Sequence, residues 1–178
     1  MNEIITIAGS PSRTAKSAQV LRMAQQMMEK KGWSAQTIVV RDLPAEDLLH
    51  ARYDSPAIQA AHALLDQAQA VIIATPIYKA AYSGILKAFL DLLPQDALKG
   101  KIILPLATGG SIAHLLAIDY ALKPVLNALG ATHVLHGVYF LDSLLSLNEE
   151  GALLLDSNLD MRLQEALEEL HFLLKTRL

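Results

Sequence analysis

The sequence predicts an α/β chain built as a doubly wound, five-stranded parallel sheet with helices on both faces. Three observations carry that expectation. Apolar, β-branched segments alternate five times with segments of helical period, the pattern that builds βαβ units. One segment, Ala70-Val71-Ile72-Ile73-Ala74-Thr75, is apolar almost throughout, as suits a strand covered on both faces. The stretches richest in glycine and hydroxyls, 9–17, 75–82 and 108–114, each follow a strand-like run. A doubly wound sheet gathers such loops on one edge.

The first strand is Ile4 to Ala8, and a helix opens near Ser17 and runs to Lys31. Its apolar positions Val20, Leu21, Ala24, Met27 and Met28 recur at helical spacing, and Gly32 ends it. Thr37 to Val40 is the second strand, left through Arg41-Asp42-Leu43-Pro44. Residues 45–54 read equally as a short helix or an ordered excursion. Ser55-Pro56 then has the form of an N-cap followed by proline at the first helical position, starting a helix to about Ala68. After the third strand, Pro76-Ile77-Tyr78-Lys79 is expected to break the extended run, and Ser83 to Leu93 to form a helix closed by Pro94.

Leu98-Lys99-Gly100 is a turn, and Lys101 to Ala107 is the fourth strand. Pro105 within it predicts a bulge or a gap in pairing. Helical spacing from Ala113 to Leu129 is interrupted by Lys123-Pro124, so that helix is kinked or in two pieces. Gly130 ends it, Thr132 to Phe140 is the fifth strand, and Asn158 to Lys175 is a terminal amphipathic helix. Residues 141–155 carry no clear pattern. The 178 residues are expected to form one domain.

Composition narrows the function. Hydrophobic residues make up 52% of the chain and charged ones 19%, enough for a sizeable core with apolar surface left for a subunit interface. The formal net charge is −3 and the cations are scattered, which argues against nucleic acid or an acidic membrane surface as partner. With no cysteine, disulfides, thiolate metal sites and a thiol nucleophile are excluded. The six histidines show no metal-ligand spacing. The start lacks a basic segment followed by an apolar stretch, and a cytoplasmic protein is expected.

The first loop, Gly9-Ser10-Pro11-Ser12-Arg13-Thr14-Ala15-Lys16-Ser17, offers hydroxyls and two cations before a helix N-terminus. That arrangement suits a phosphate, although an ordinary βα loop with a capping serine would look similar. It contains neither GxxxxGK[ST] nor GxGxxG, so neither a P-loop nor a dinucleotide fingerprint is present. Thr75-Pro76-Ile77-Tyr78 would set an aromatic ring beside the same edge, unless Tyr78 and Tyr82 merely roof the core. Thr108-Gly109-Gly110-Ser111 would let backbone amides approach a planar ring closely. His114 follows, and a lone histidine is more often structural than catalytic. No serine, histidine and carboxylate fall together as a triad.

Three stretches together resemble the NADPH-dependent FMN reductases: Ala8-Gly9-Ser10-Pro11 with Ser17, Ala74-Thr75-Pro76-Ile77-Tyr78-Lys79-Ala80-Ala81-Tyr82-Ser83-Gly84, and Leu104-Pro105-Leu106-Ala107-Thr108-Gly109-Gly110. Glu46-Asp47-Leu48-Leu49, Asp54-Ser55-Pro56-Ala57 and the run from Ala113 to Leu126 extend the likeness over about residues 4–140. It is nearest to the type that supplies reduced flavin to an alkanesulfonate monooxygenase under sulfur limitation. The resemblance implies a flavodoxin-like fold with strand order 2-1-3-4-5. It implies FMN and NADPH as partners, with NADH as the alternative reductant.

Carried over residue by residue, Ser10, Arg13, Lys16 and Ser17 would meet the FMN phosphate. Thr75, Pro76, Ile77 and Tyr78 would line the isoalloxazine and ribityl side, and Thr108, Gly109, Gly110 and Ser111 the other end of the ring. Ala18-Gln19 stand where such proteins often carry more serines. Tyr120 would sit on a π-type bulge at a tetramer interface near the flavin, the chain being expected to form a homodimer or homotetramer. No side chain is implied as acid, base or nucleophile, because hydride passes between the cofactors. Arg13, Lys16 and Lys79 are the candidates for the 2′-phosphate of NADPH. An FMNH2-dependent monooxygenase would accept the product. The competing readings are an FMN-bound quinone, azo-dye or chromate reductase and a flavodoxin-like electron carrier; the latter class is typically far more acidic than −3.

Overall fold

The computed structural model describes residues 4–177. Strands β1 (Ile4–Ala8), β2 (Ala35–Val39), β3 (Ala70–Tyr78) and β5 (Ile102–Gly109) lie parallel in the order β2-β1-β3-β5. The fifth place is shared by β6 (His133–Val134) and β7 (Val138–Leu141), both parallel to β5. The expected order 2-1-3-4-5 is therefore present, with its last strand broken in two.

The break has a local cause. Pro105 has no N–H to give, and β6 pairs with Ile102 and Ile103 while β7 pairs with Leu106 to Gly109. Across the gap Gly137 adopts a φ of 85°, and a Cβ there would lie 2.6 Å from the Pro105 carbonyl oxygen. Only glycine fits a position that needs both a left-handed backbone and so close an approach.

Side chains on the strands alternate between two cores, as the two-residue period dictates. Ile4, Ile72, Leu104 and Leu106 pack against Val20, Leu21, Ala24 and Met28 of α1 (Lys16–Lys30). Leu163, Leu167 and Leu170 of α6 (Ser157–Lys175) complete that layer. Ile5, Ile7, Val71, Ile73 and Ile103 face the other way. They meet Ala61 and Leu65 of α3 (Pro56–Asp66), Leu86, Phe89 and Leu90 of α4 (Gly84–Asp91), and Leu126 of α5 (Lys123–Ala128). Residues 45–49 form the short helix α2 (Ala45–Leu49). Among the described residues no helix is long and apolar enough to cross a membrane.

Several expectations are corrected. The second strand is Ala35–Val39, starting before Thr37, because Ile4 and Ile5 recruit Ala35 and Gln36 into the ladder. Pro76 does not break the third strand. It pairs in register with Thr108, and extended backbone continues to Tyr78. There a two-residue turn, Lys79-Ala80, returns the chain as β4 (Ala81–Tyr82), antiparallel to β3. Ser55 is the N-cap of α3, yet its hydroxyl donates to the Asp47 carboxylate and caps nothing.

The stretch 141–155 is a hairpin, β8 (Leu145–Leu147) and β9 (Leu153–Leu155). Asn148 Oδ1 closes its turn by accepting from the N–H groups of Glu150 and Ala152. Asp156 then caps α6 through a 3.0 Å bond from the Asn158 N–H.

The run from Ala113 to Leu129 proves to be three pieces. A 3-10 turn (Ile112–His114) leads to a π-helical segment (Ile118–Leu122) and then α5. The Lys123 N–H reaches back five residues to the Ile118 carbonyl. Pro124 cannot donate to the Tyr120 carbonyl, and its ring would crowd that oxygen in a regular helix. A wider turn removes the conflict.

Candidate active site

The order β2-β1-β3 reverses direction at β1, and the crevice beyond the strand ends at that point is where open α/β sheets bind ligands. A small open cleft of about 180 Å³ lies there. Ser12, Ala15 and Lys16 come from the first loop, Pro76, Ile77 and Tyr78 from the end of β3, and Thr108 and Gly109 from the end of β5. Asp142, just beyond β7, supplies the remaining wall. All three loops singled out in the sequence thus meet in one cavity.

The first loop does not use its hydroxyls to cap α1. The N-cap is Ala15, which has no side-chain acceptor. Ser10 is buried and its Oγ accepts from the Ser12 N–H at 3.2 Å, while Ser12 Oγ accepts from the Thr14 N–H at 3.3 Å. Ser17 is buried in the first helical turn, and its hydroxyl has no hydrogen-bond partner. A capping role therefore does not account for the loop. The helix's first N–H groups and partial positive charge are open to an anion.

The two cations of this loop are placed otherwise than the sequence suggests. Lys16 Nζ donates to the Asp142 and Leu145 carbonyls at 2.7 and 3.3 Å, so it ties the loop to the segment after β7. Arg13 turns away from the cleft, into a pocket between α1 and β2.

The Thr75 hydroxyl is also directed inward. It is fully buried, donates to the Pro76 carbonyl at 3.0 Å and accepts from the Ser83 N–H at 3.1 Å. Ser83 in turn donates to the Gly9 carbonyl and caps α4 by accepting from the Leu86 N–H. Thr75 and Ser83 therefore fasten the second loop to the first. Tyr78 is about half exposed and stands between the cleft and an apolar groove lined by Pro11, Leu48, Leu49, Ile85 and Ala88.

In the third loop, Gly109 is glycine because of a protein neighbour. A Cβ there would lie 2.1 Å from Tyr139 Oη and 3.0 Å from its Cζ. Tyr139 is buried and donates to the Ser111 carbonyl at 2.7 Å, which sets the shape of the loop. Burial, and secondarily the nearby Asp142 carboxylate, push its phenol above the ordinary value of 10.0. Gly110 and Ser111 are exposed, and Ser111 Oγ accepts from the Ala113 N–H of the 3-10 turn that contains His114.

The family model for NADPH-dependent FMN reductase matches residues 2–144. Over 176 residues the chain is 49% identical to an FMN reductase (NADPH) of Pseudomonas putida, covering 98% of this chain and 89% of that one. The chain belongs to the NADPH-dependent FMN reductase family. It is also 52% identical to an FMN reductase (NADPH) of Escherichia coli over 140 residues, covering 79% and 73% of the two chains. The apo form of an NADH:FMN oxidoreductase (EMOB) superposes with a TM-score of 0.84 at 38% identity, covering 95% and 88%.

An NADPH-dependent FMN reductase needs an oxygen- and N–H-rich pocket for a phosphate and a flat slot for a ring system. The donor set fits both: the uncapped α1 terminus with unpartnered Ser17, and the slot between Pro76–Tyr78 and Thr108–Gly109. Sequence reasoning passed over Asp142 and Tyr139; Tyr139 lies 28 residues from Ser111, whose carbonyl it bonds. It also missed Ser83 as a fastening residue, although its place before Gly84 in a helix-start pattern was a signal. Tyr120 lies on the π segment, outside the cleft, and is 79% exposed.

Proposed function

We propose that this chain catalyses hydride transfer from NADPH to FMN and releases the reduced flavin to an FMNH2-dependent monooxygenase of sulfonate sulfur assimilation in the cytoplasm. One observation carries the reading: the three loops of the sheet edge converge on one cleft beside an uncapped helix N-terminus. The family membership supports FMN as the ligand of that cleft.

When bound, FMN supplies the electron-accepting ring, taking hydride at N5 from C4 of the nicotinamide. The chain's own residues bind and orient. The hydroxyls of Ser10, Ser12 and Ser17 and the first N–H groups of α1 hold the phosphate. Pro76, Ile77 and Tyr78 form one wall of the ring slot, and Thr108 with the Gly109 backbone forms the other. Lys16 acts by anchoring the 142–145 segment, which brings Asp142 to the cleft. Thr75 and Ser83 fix the distance between the loops, so the rate derives mainly from a pre-set geometry.

Self-association is part of the proposal. Ile112, Leu116 and Tyr120 are 63%, 55% and 79% exposed on one short stretch that includes the π segment. Such a patch suits a homodimer or homotetramer contact beside the cleft.

The test is anaerobic NADPH oxidation by the purified protein as free FMN is varied, followed by transfer to a monooxygenase. Saturable dependence on FMN with release of reduced flavin is the expected result. NADPH oxidation indifferent to added FMN, in a preparation holding no flavin, defeats the reading.

A further inference from the structure

On the far side of the first loop lies a second pocket, between α1 and β2, lined by three arginines: Arg13, Arg22 and Arg41. Ala18, Leu21, Arg22 and Gln25 line it from one face of α1, at the i, i+3, i+4 and i+7 spacing that brings side chains together. Thr37 and Val39 contribute from β2. Among the described residues no carboxylate lines it. Gln25 is already engaged with Thr37 and Glu29, and Arg41 donates through Nη1 to the Ser12 carbonyl at 3.0 Å. The one ion pair of these arginines among the described residues is Arg41 Nε to the half-exposed Asp42, at 3.4 Å. Among the described residues Arg13 and Arg22 have none.

Three arginines line this pocket and Asp42 is the one carboxylate paired with any of them among the described residues, so their like charges favour an anion between them. Forked donors of this kind suit the oxygens of a phosphate monoester. The pocket shares its wall with the flavin cleft, because Arg13 faces one and its neighbours Ser12, Ala15 and Lys16 face the other. Lys16 is occupied by backbone carbonyls. The apolar groove beside Tyr78 offers no cation among its lining residues.

We propose that the α1–β2 pocket binds a phosphate monoester, the 2′-phosphate of NADPH, and thereby selects NADPH over NADH. The inference rests on the reductase reading for its ligand, but its test separates the two.

The test uses Arg22→Gln and Arg22→Glu in the full chain; Arg22 is exposed on α1, and both replacements are good helix formers. Losing a charge-assisted contact should raise KM for NADPH about tenfold or more, with the glutamate variant worse. KM for NADH, kcat with NADH and Kd for FMN should stay as in the wild type. Calorimetry with 2′,5′-ADP, 5′-ADP and inorganic phosphate provides a readout independent of turnover. Binding of 2′,5′-ADP that exceeds the other two and weakens in the variants supports the proposal, even if FMN-dependent turnover is absent and the reductase reading has failed. Equal wild-type preference for NADPH and NADH, an unchanged NADPH KM in both variants, or inorganic phosphate binding as tightly as 2′,5′-ADP would each overturn it.

Discussion

Ser17→Ala separates a residue held for its ligand from one held for the fold. Ser17 is 1% exposed, and its hydroxyl has no partner. An unpaired buried polar group costs about 1–3 kcal/mol. Alanine removes that oxygen and is the better helix former by less than about 0.7 kcal/mol. Both effects act in one direction, so the ligand-free variant should gain about 1 kcal/mol or more. For a chain of this size that corresponds to a Tm rise of about 2–4 °C per kcal/mol. FMN binding should change in the opposite sense. A hydrogen bond to a phosphate dianion contributes about 1.5–3 kcal/mol, so Kd should rise about 10- to 150-fold. Thermal melts in phosphate-free buffer and a flavin fluorescence titration measure the two quantities. A variant that is less stable and binds FMN as the wild type does would refute the reasoning, since Ser17 would then serve packing alone.

Gly109→Ala forces a Cβ to within 2.1 Å of Tyr139 Oη; overpacking plus the disturbed bond to Ser111 should cost about 2–4 kcal/mol in urea denaturation. Adding Tyr139→Phe should restore part of that, and a wild-type midpoint for Gly109→Ala would contradict the assignment. Lys79 and Ala80 form the β3–β4 turn with φ of 51° and 65°, a shape that favours Asn-Gly. Lys79→Asn with Ala80→Gly should therefore stabilise by about 1–2 kcal/mol, read as a raised urea midpoint; an unchanged or lower one argues against strain there. Tyr139, whose phenol is raised above 10.0, contributes a pH-dependent increment that is complete below pH 10 and is lost as pH climbs through its folded-state value. Wild-type stability relative to Tyr139→Phe should fall over that alkaline window and stay level between pH 6 and about 9.

The sheet and the meeting of the three loops in one cleft were legible because both are written locally. Five apolar runs, three of them followed by loops rich in glycine or hydroxyls, require only the two-residue period and the edge rule for parallel sheets. Pro105 announced its pairing gap because a missing N–H has the same effect in any ladder. What stayed hidden was the direction of side chains within the loops. Lys16 and Arg13 are three residues apart, yet one reaches across to Asp142 and the other lines the α1–β2 pocket. The partners that decide this lie about 25 to 130 residues away. Pro76 misled for the opposite reason: on local rules it breaks a strand, but a fully formed ladder to Thr108 carries the chain past it. The 145–155 hairpin escaped notice because Leu-rich three-residue strands have no period long enough to read.

The hydroxyls around the cleft divide into two groups with different tasks. Thr75 and Ser83 are as buried as Ser17, but their bonds are complete within the protein and run from one loop to another. They set the separation of the first and second loops before any ligand arrives. Ser10 and Ser12 shape the first loop through their acceptor lone pairs, which leaves the Ser10 O–H proton uncommitted to the loop's backbone. Ser17 is uncommitted altogether. A site that must hold a ring at a fixed distance from a phosphate needs this division. If the same hydroxyls both fixed the loops and bound the anion, each binding event would loosen the spacing that orients the ring. The chain keeps the two functions on separate side chains. On the proposed reading, tightness of FMN binding and rigidity of the cleft are therefore adjustable independently, the first at Ser10 and Ser17 and the second at Thr75, Ser83 and the Tyr139–Gly109 contact.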